Sequence, residues 1–418
     1  MKLRKLAIFV LALVLALPLI ASAETAYPET VKFAAIYGFT GSNATTANYN
    51  QEAIDFMVDY INDNGGIASM NGAKIEVVYG DNTSDTTVCV TVADRVFSDE
   101  SVMFALGAGS STLLLPMLPS VEKYQVPILT NNTADSITEQ GYRYVFRCNI
   151  KGSQEAGYKT DFLNWLIAEK GYSADKVAVI YSDTEQGRSA GNAAKEMYES
   201  IGATVAVFET FQEGTSDMSS IVTKCKSADI ELIDFTADIA ESKLFLNTLN
   251  GMNYNPLVIA SNGVAFPEVA QAVGDPILGV VCMMCYTPSQ TNIAGNERLS
   301  DILESFKELH GVYPNETQMN AIEQTYVGWD ALERLGEQGL ELTRQNMRDV
   351  LAQTDLQTFF YYNHIKIIPF ATPLAASVFW LAPSLKLIYA ADPSPNIKAK
   401  AANTMVIGKI IFAAPLPR

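Results

Sequence analysis

Cationic and metal-binding side chains are scarce in this chain of 418 residues, which has two histidines, five cysteines and 29 lysines and arginines against 46 acids. Each scarcity excludes something. A serine triad needs a positioned histidine; His310 ends a helical stretch at a position expected to be on the surface, and His364 lies in an unusual tail, so hydrolysis by such a triad is poorly supported. No pair of carboxylates stands out by its spacing as an acid and base. Neither histidine lies near a cysteine pair, which argues against zinc. A formal charge of −17 is repelled by phosphate backbones and disfavours nucleic acid as a partner. Beyond residue 23 there is no run of about 18 apolar residues, the length needed to span a membrane.

What remains is a chain that can build a core. Its composition is 48% hydrophobic and only 18% charged, and its length suits two or three domains. Met1–Ala23 reads as a secretory leader: Lys2, Arg4 and Lys5, an apolar run from Leu6 to Ile20, then Ala21-Ser22-Ala23. Cleavage is expected after Ala23, with no cysteine nearby to carry a lipid, and the destination expected is a bacterial periplasm. Losing the three leader cations deepens the net charge to −20. The charge is also uneven. Residues 359–418 hold six cations and one acid, and residues 24–358 hold twenty cations and 45 acids.

Five cysteines in an exported protein leave at least one thiol free or paired between chains. Cys282-Met283-Met284-Cys285 has redox spacing but lies inside the strand-like run 279–286, which favours packing over thiol chemistry.

Apolar runs of strand length alternate with amphipathic helical stretches. Strands are expected at 31–39, 73–81, 103–107, 127–131, 176–182, 204–211, 231–235, 256–261 and 279–286. Helices are expected at 51–62, 86–97, 113–124, 155–170, 190–201, 299–310 and 318–336, and Asp217 is expected to cap another. Wholly apolar strands in β-α alternation imply parallel sheets covered by helices on both faces. So many strands suit two doubly wound lobes better than one wide sheet, with a tight hinge near 147–152.

Open sheets of this kind bind ligands at the carboxyl ends of their strands. Gly107-Ala108-Gly109-Ser110-Ser111-Thr112 follows a strand and opens a helix. It lacks the third glycine of a dinucleotide loop, yet its free amides and hydroxyls suit an anion such as a carboxylate, or simple helix capping. Thr130-Asn131-Asn132-Thr133 ends the next strand. In the second half the strand ends are 182–186, 236–238 and 261–263. Asp238 there is placed either to meet a cation on a ligand or to cap a helix.

These stretches carry a resemblance. Ile36–Gly41, Glu52–Ile67, Gly107–Thr112, Val126–Thr133 with Gly141–Arg147, and Asp349–Leu356, in that order and spacing, resemble the periplasmic solute-binding proteins of ABC importers, the leucine/isoleucine/valine-binding type. The likeness runs from about Val31 to Gln357. It implies two doubly wound parallel-sheet lobes joined by three crossings, the type I periplasmic-binding arrangement. Lobe one is then 24–148 with 284–354, and lobe two 149–283 with 355–360. It implies a receptor rather than an enzyme, with no cofactor, that passes a small amino acid, amide or organic acid to a membrane permease and ATPase. By resemblance Ser110, Ser111 and Thr133, with the backbone near Asn131, hold a ligand carboxylate. The acid that meets the ligand amine in amino-acid binders stands here as Asn262, and two aromatic clamp positions as Gln186 and Asp238. These departures point to a polar ligand, with Asp238 taking the amine. A sensory receptor domain and an enzyme on a similar scaffold are the other readings.

The likeness fades after Thr358-Phe359-Phe360. The remaining residues hold a single glycine, an apolar and proline-containing run at 374–383, and the reversed charge. Residues 361–418 are therefore expected to be a frameshifted or otherwise non-native tail, or else a divergent or partner-docking extension.

Overall fold

The structure is a computed structural model that describes residues 26–356 except 173–174, 275–279, 284–285 and 287–295, and four short strands beyond them. The leader, Cys285, His364 and most of the tail lie outside the described residues.

The first sheet contains β1 (Thr30–Tyr37), β2 (Lys74–Asp81), β3 (Val102–Gly107), β4 (Ile128–Thr130) and β5 (Val145–Arg147). Their order is β2-β1-β3-β4-β5, all parallel. The second contains β6 (Lys176–Ser182), β7 (Thr204–Phe211), β8 (Leu232–Thr236), β9 (Leu257–Ala260) and β10 (Val280–Met283), in the parallel order β10-β9-β8-β6-β7. Every residue of β3 and β8 is buried, as strands covered on both faces must be. The chain is thus two doubly wound lobes.

Local chemistry sets the helix ends. Asp85 caps the helix Thr86–Phe97 by accepting from the amides of Thr87 and Val88. Thr184 caps Glu185–Ser200 through Gly187 N–H, so that helix begins five residues before its expected start. The helix Glu297–His310 buries Leu299, Ile302, Leu303 and Phe306 on one face. The helix Glu316–Glu337 is buried along most of its length, and Gly328 lets it sit against the Phe104 ring of β3. Both helices share one core with β1 and the helix Ala44–Asp63.

β5, three residues long, has no counterpart among the expected strands. His310 is half-buried rather than on the surface. Its ring stacks on Phe306 at 4.2 Å and its Nδ1 lies 3.1 Å from Glu52. Cys89, Cys148 and Cys225 are buried free thiols, and Cys282 is buried on β10. In the tail, β15 (Ile410–Ala413) pairs antiparallel with β10, β14 (Thr404–Ile407) with β15, and β13 (Leu387–Tyr389) with β14. β12 (Ile365–Lys366) pairs instead with β11 (Asp355–Leu356). Among the described residues no helix is long and apolar enough to cross a membrane, and no cluster of three metal-binding side chains occurs.

Candidate functional site

Strand order reverses in the first sheet between β1 and β3, and in the second between β6 and β8. Such switch points leave a crevice at the carboxyl ends of the strands, because the connections run off in opposite directions. Here the two crevices face each other. The cleft between them, about 390 Å³ with its open mouth included, is lined by Ser110, Ser111 and Thr112 from lobe one and by Ser182, Thr184, Gln186, Glu213, Thr236, Ala237 and Asp238 from lobe two.

The lobe-one wall is neutral and held from behind. Gly109 adopts φ +94° beside the Tyr37 ring, a turn that glycine makes without strain. Ser110 then caps the helix Ser111–Tyr124, its Oγ accepting from Leu113 N–H at 3.3 Å. Ser111 is buried, and its Oγ accepts from Ala134 N–H at 3.2 Å. Arg147 clamps the 132–138 loop by donating to the carbonyls of Asn132 and Ala134 at 2.6 and 2.7 Å. Burial pulls its guanidinium down to about 10, against the opposing pull of Asp135 and Glu139.

The lobe-two wall is acidic. Asp238 occupies the N-cap position of the helix Ile239–Gly251, yet its side chain makes no cap bond. It is exposed at the cleft. Desolvation, with the carboxylates of Glu213 and Glu241, pushes it up to about 6. Burial and Glu241 raise Glu213 as well. Glu241 is buried and accepts from Gly214 N–H at 2.8 Å, which fixes the Glu213 loop beside Asp238. Gly263 presses on the same wall: a Cβ there would lie 2.2 Å from the Ala237 carbonyl oxygen.

Behind Thr236 lies a buried charged network. Lys159 Nζ is 2.8 Å from Asp234, 3.2 Å from Glu155 and 3.2 Å from Thr236 Oγ1. Tyr198 donates to the other Asp234 oxygen at 2.9 Å. Burial alone would discharge the lysine, but Asp234 and Glu155 outweigh it and hold the ammonium above its ordinary range.

The lobes touch at both rims. Thr112 Oγ1 accepts from Glu185 N–H at 3.4 Å, and Ser189 Oγ donates to Asp135 at 2.8 Å. Burial opposes the Asp135 charge, yet hydrogen bonds from Ser153 and Ser189 hold its carboxyl below the usual range. Across the cleft the Tyr49 ring stacks on Phe266 at 6.4 Å.

Of the expected site residues, Ser110, Ser111, Gln186 and Asp238 come together in the lining. Asn131, Thr133 and Asn262 are not in it. Asn131 is half-buried and its carbonyl accepts from Asn149 at 3.0 Å. Thr133 is buried with its hydroxyl unpartnered. Asn262 is half-buried at the start of a short 3₁₀ turn. Glu213 was not foreseen; its one signal is that it closely follows the end of a lobe-two strand, as Asp238 does.

Two opposed switch points around a polar cleft define a two-lobed ligand-binding protein. The family described as Periplasmic binding protein matches residues 30–367, and the chain belongs to it. The chain is 28% identical over 307 residues to Leu/Ile/Val-binding protein homolog 8 of Brucella suis biovar 1 (strain 1330), covering 72% of this chain and 75% of that one. It superposes on a leucine binding protein from Thermotoga maritima MSB8 with a TM-score of 0.70 at 21% identity, covering 81% of this chain and 91% of that one. It also superposes on a solute binding protein of an ABC transporter from Rhodopseudomonas palustris BisB5 in complex with 3,4-dihydroxy benzoic acid, with a TM-score of 0.69 at 19% identity and coverage of 82% and 90%. The same fold therefore serves unlike ligands, and the wall residues must decide which.

Proposed function

We propose that the protein is an extracytoplasmic solute receptor that captures a small, polar, amino-acid-like carboxylate between its lobes and delivers it to an ABC importer. The observation that carries this reading is the meeting of two switch points, one neutral and rich in hydroxyls, the other acidic. Ser110 and Ser111, with Thr133 and the backbone at Asn131 after the neighbouring strand β4, are assigned to the ligand carboxylate. Gln186, Asp238 and Asn262 are assigned to its amine end. Closing the lobes excludes water, so each charge on the ligand meets its partner in a poorly screened setting. No bond of the ligand need change; the product is a closed shape for a permease to recognise. The Met1–Ala23 leader would carry the chain out of the cytoplasm.

A thermal-shift screen of the mature chain against amino acids, amides, urea and small carboxylates tests this. Reversible stabilisation that grows with ligand concentration, with the ligand recovered intact, is the expected outcome. Consumption of the ligand would replace the receptor reading with an enzymatic one.

A further inference from the structure

Ten residues line the cleft; two of them, Glu213 and Asp238, are acids, and none is a lysine, arginine or histidine. Both carboxylates are on the same wall, and the charged groups acting on Asp238 are carboxylates as well. The cations in the neighbourhood are committed elsewhere. Lys159, behind Thr236, is held by Asp234 and Glu155, and Arg188, at the rim, by Asp183 and Glu185. Asp238 forgoes the cap bond its position offers and has no partner among the described residues. Asp238 is exposed at the cleft with two like charges acting on it, so a cation arriving there meets an unmatched negative wall. The opposite wall adds no charge, only serine and threonine hydroxyls and the amides of a helix start.

A zwitterion brings one ammonium to this cleft and leaves one carboxylate unmatched. A simple carboxylate brings a third negative charge. A ligand with two cationic groups and one carboxylate matches both walls.

Resting on the receptor reading above, we propose that the ligand is a basic amino acid or a close analogue, net positive, with its carboxylate on the Ser110–Thr112 wall and its two cationic groups on Glu213 and Asp238. Glu213 is then the residue that separates basic from neutral amino acids, and Asp238 the one that any amine-bearing ligand needs.

Calorimetric titration of the mature chain with lysine, norleucine and hexanoate tests this, because the three share a six-carbon chain and differ in net charge. Lysine should bind at least about tenfold tighter than norleucine, as expected when a charge-assisted hydrogen bond is added, and hexanoate should not bind. Glu213→Gln should bring the affinities for lysine and norleucine to within about twofold of each other. Asp238→Asn should weaken both amines. Norleucine binding as tightly as lysine, or lysine preference surviving Glu213→Gln, overturns the proposal. If the three fail but a neutral or anionic solute from the wider screen binds, this inference falls and the receptor reading stands. If nothing in that screen binds, both fall.

Discussion

The two walls of the cleft are built from the same secondary-structure event, a strand ending at a switch point and a helix beginning, yet they differ in how their polar atoms are used. On lobe one Ser110 and Ser111 already hold backbone amides, so their oxygens are fixed and their protons are free to point at a ligand. On lobe two the equivalent helix start carries Asp238, whose carboxylate is left open. Equal topology thus yields a neutral, hydroxyl-rich wall and an acidic wall, and the difference comes from which residue stands at the cap.

The largest expected effect lies behind the acidic wall. Asp234→Ala would leave the buried Lys159 ammonium with Glu155 as its carboxylate partner and the Tyr198 hydroxyl without its acceptor, and should cost about 3 kcal/mol in urea unfolding. A loss below about 1 kcal/mol would show that the network does not hold that wall in place. Next comes the wall itself. Asp238→Asn should weaken binding of lysine about tenfold or more by calorimetry, while the ligand-free melting temperature holds or rises because an uncompensated charge is gone. A falling melting temperature would mean that Asp238 serves the fold after all.

Proton linkage sharpens the same contrast. The Asp238 pKa lies above the ordinary carboxylate value, so the group takes up a proton as pH falls through about 6. Between that pH and its unfolded pKa of about 4, protonation relieves the repulsion from Glu213 and Glu241 and favours the fold. The sign for ligand is opposite. Affinity for lysine should fall as pH drops below about 6, by at most about tenfold per unit for one proton. A flat affinity profile from pH 5 to 8 would remove Asp238 from the cation site. The smallest effect is expected on the neutral wall. Ser111→Ala deletes one hydrogen bond to Ala134 and should reduce stability by about 1 kcal/mol, with a comparable loss of affinity only for ligands that carry a carboxylate.

Much of this molecule was legible in the sequence, and the reasons are local. β6, KVAVIYS, and the helix Thr86–Phe97 fall where periodicity put them. β5 escaped because three residues carry no periodicity, and the first turn of Glu185–Ser200 escaped because Glu185-Gln186-Gly187-Arg188 is polar and looks like a loop. At the site, strand ends pointed to Ser110, Ser111 and Asp238. Glu213 was hidden because its place depends on the bond between Gly214 N–H and Glu241, a contact 27 residues away in the chain. Asn262, matched by resemblance to an amine-binding acid, lies outside the lining, while Gly263 packs onto the Ala237 backbone.

The Tyr49–Phe266 contact has a calorimetric consequence. It joins Tyr49 of the helix Ala44–Asp63, which packs partly buried against the lobe-two core, to Phe266, a buried residue of that core. Opening the lobes would wet both rings. Closing them removes apolar surface from water although the ligand and the walls that hold it are polar. Binding should therefore carry a negative heat-capacity change set by the rim and not by the solute. Tyr49→Ser would flatten the temperature dependence of the binding enthalpy by a similar amount for every ligand the cleft accepts.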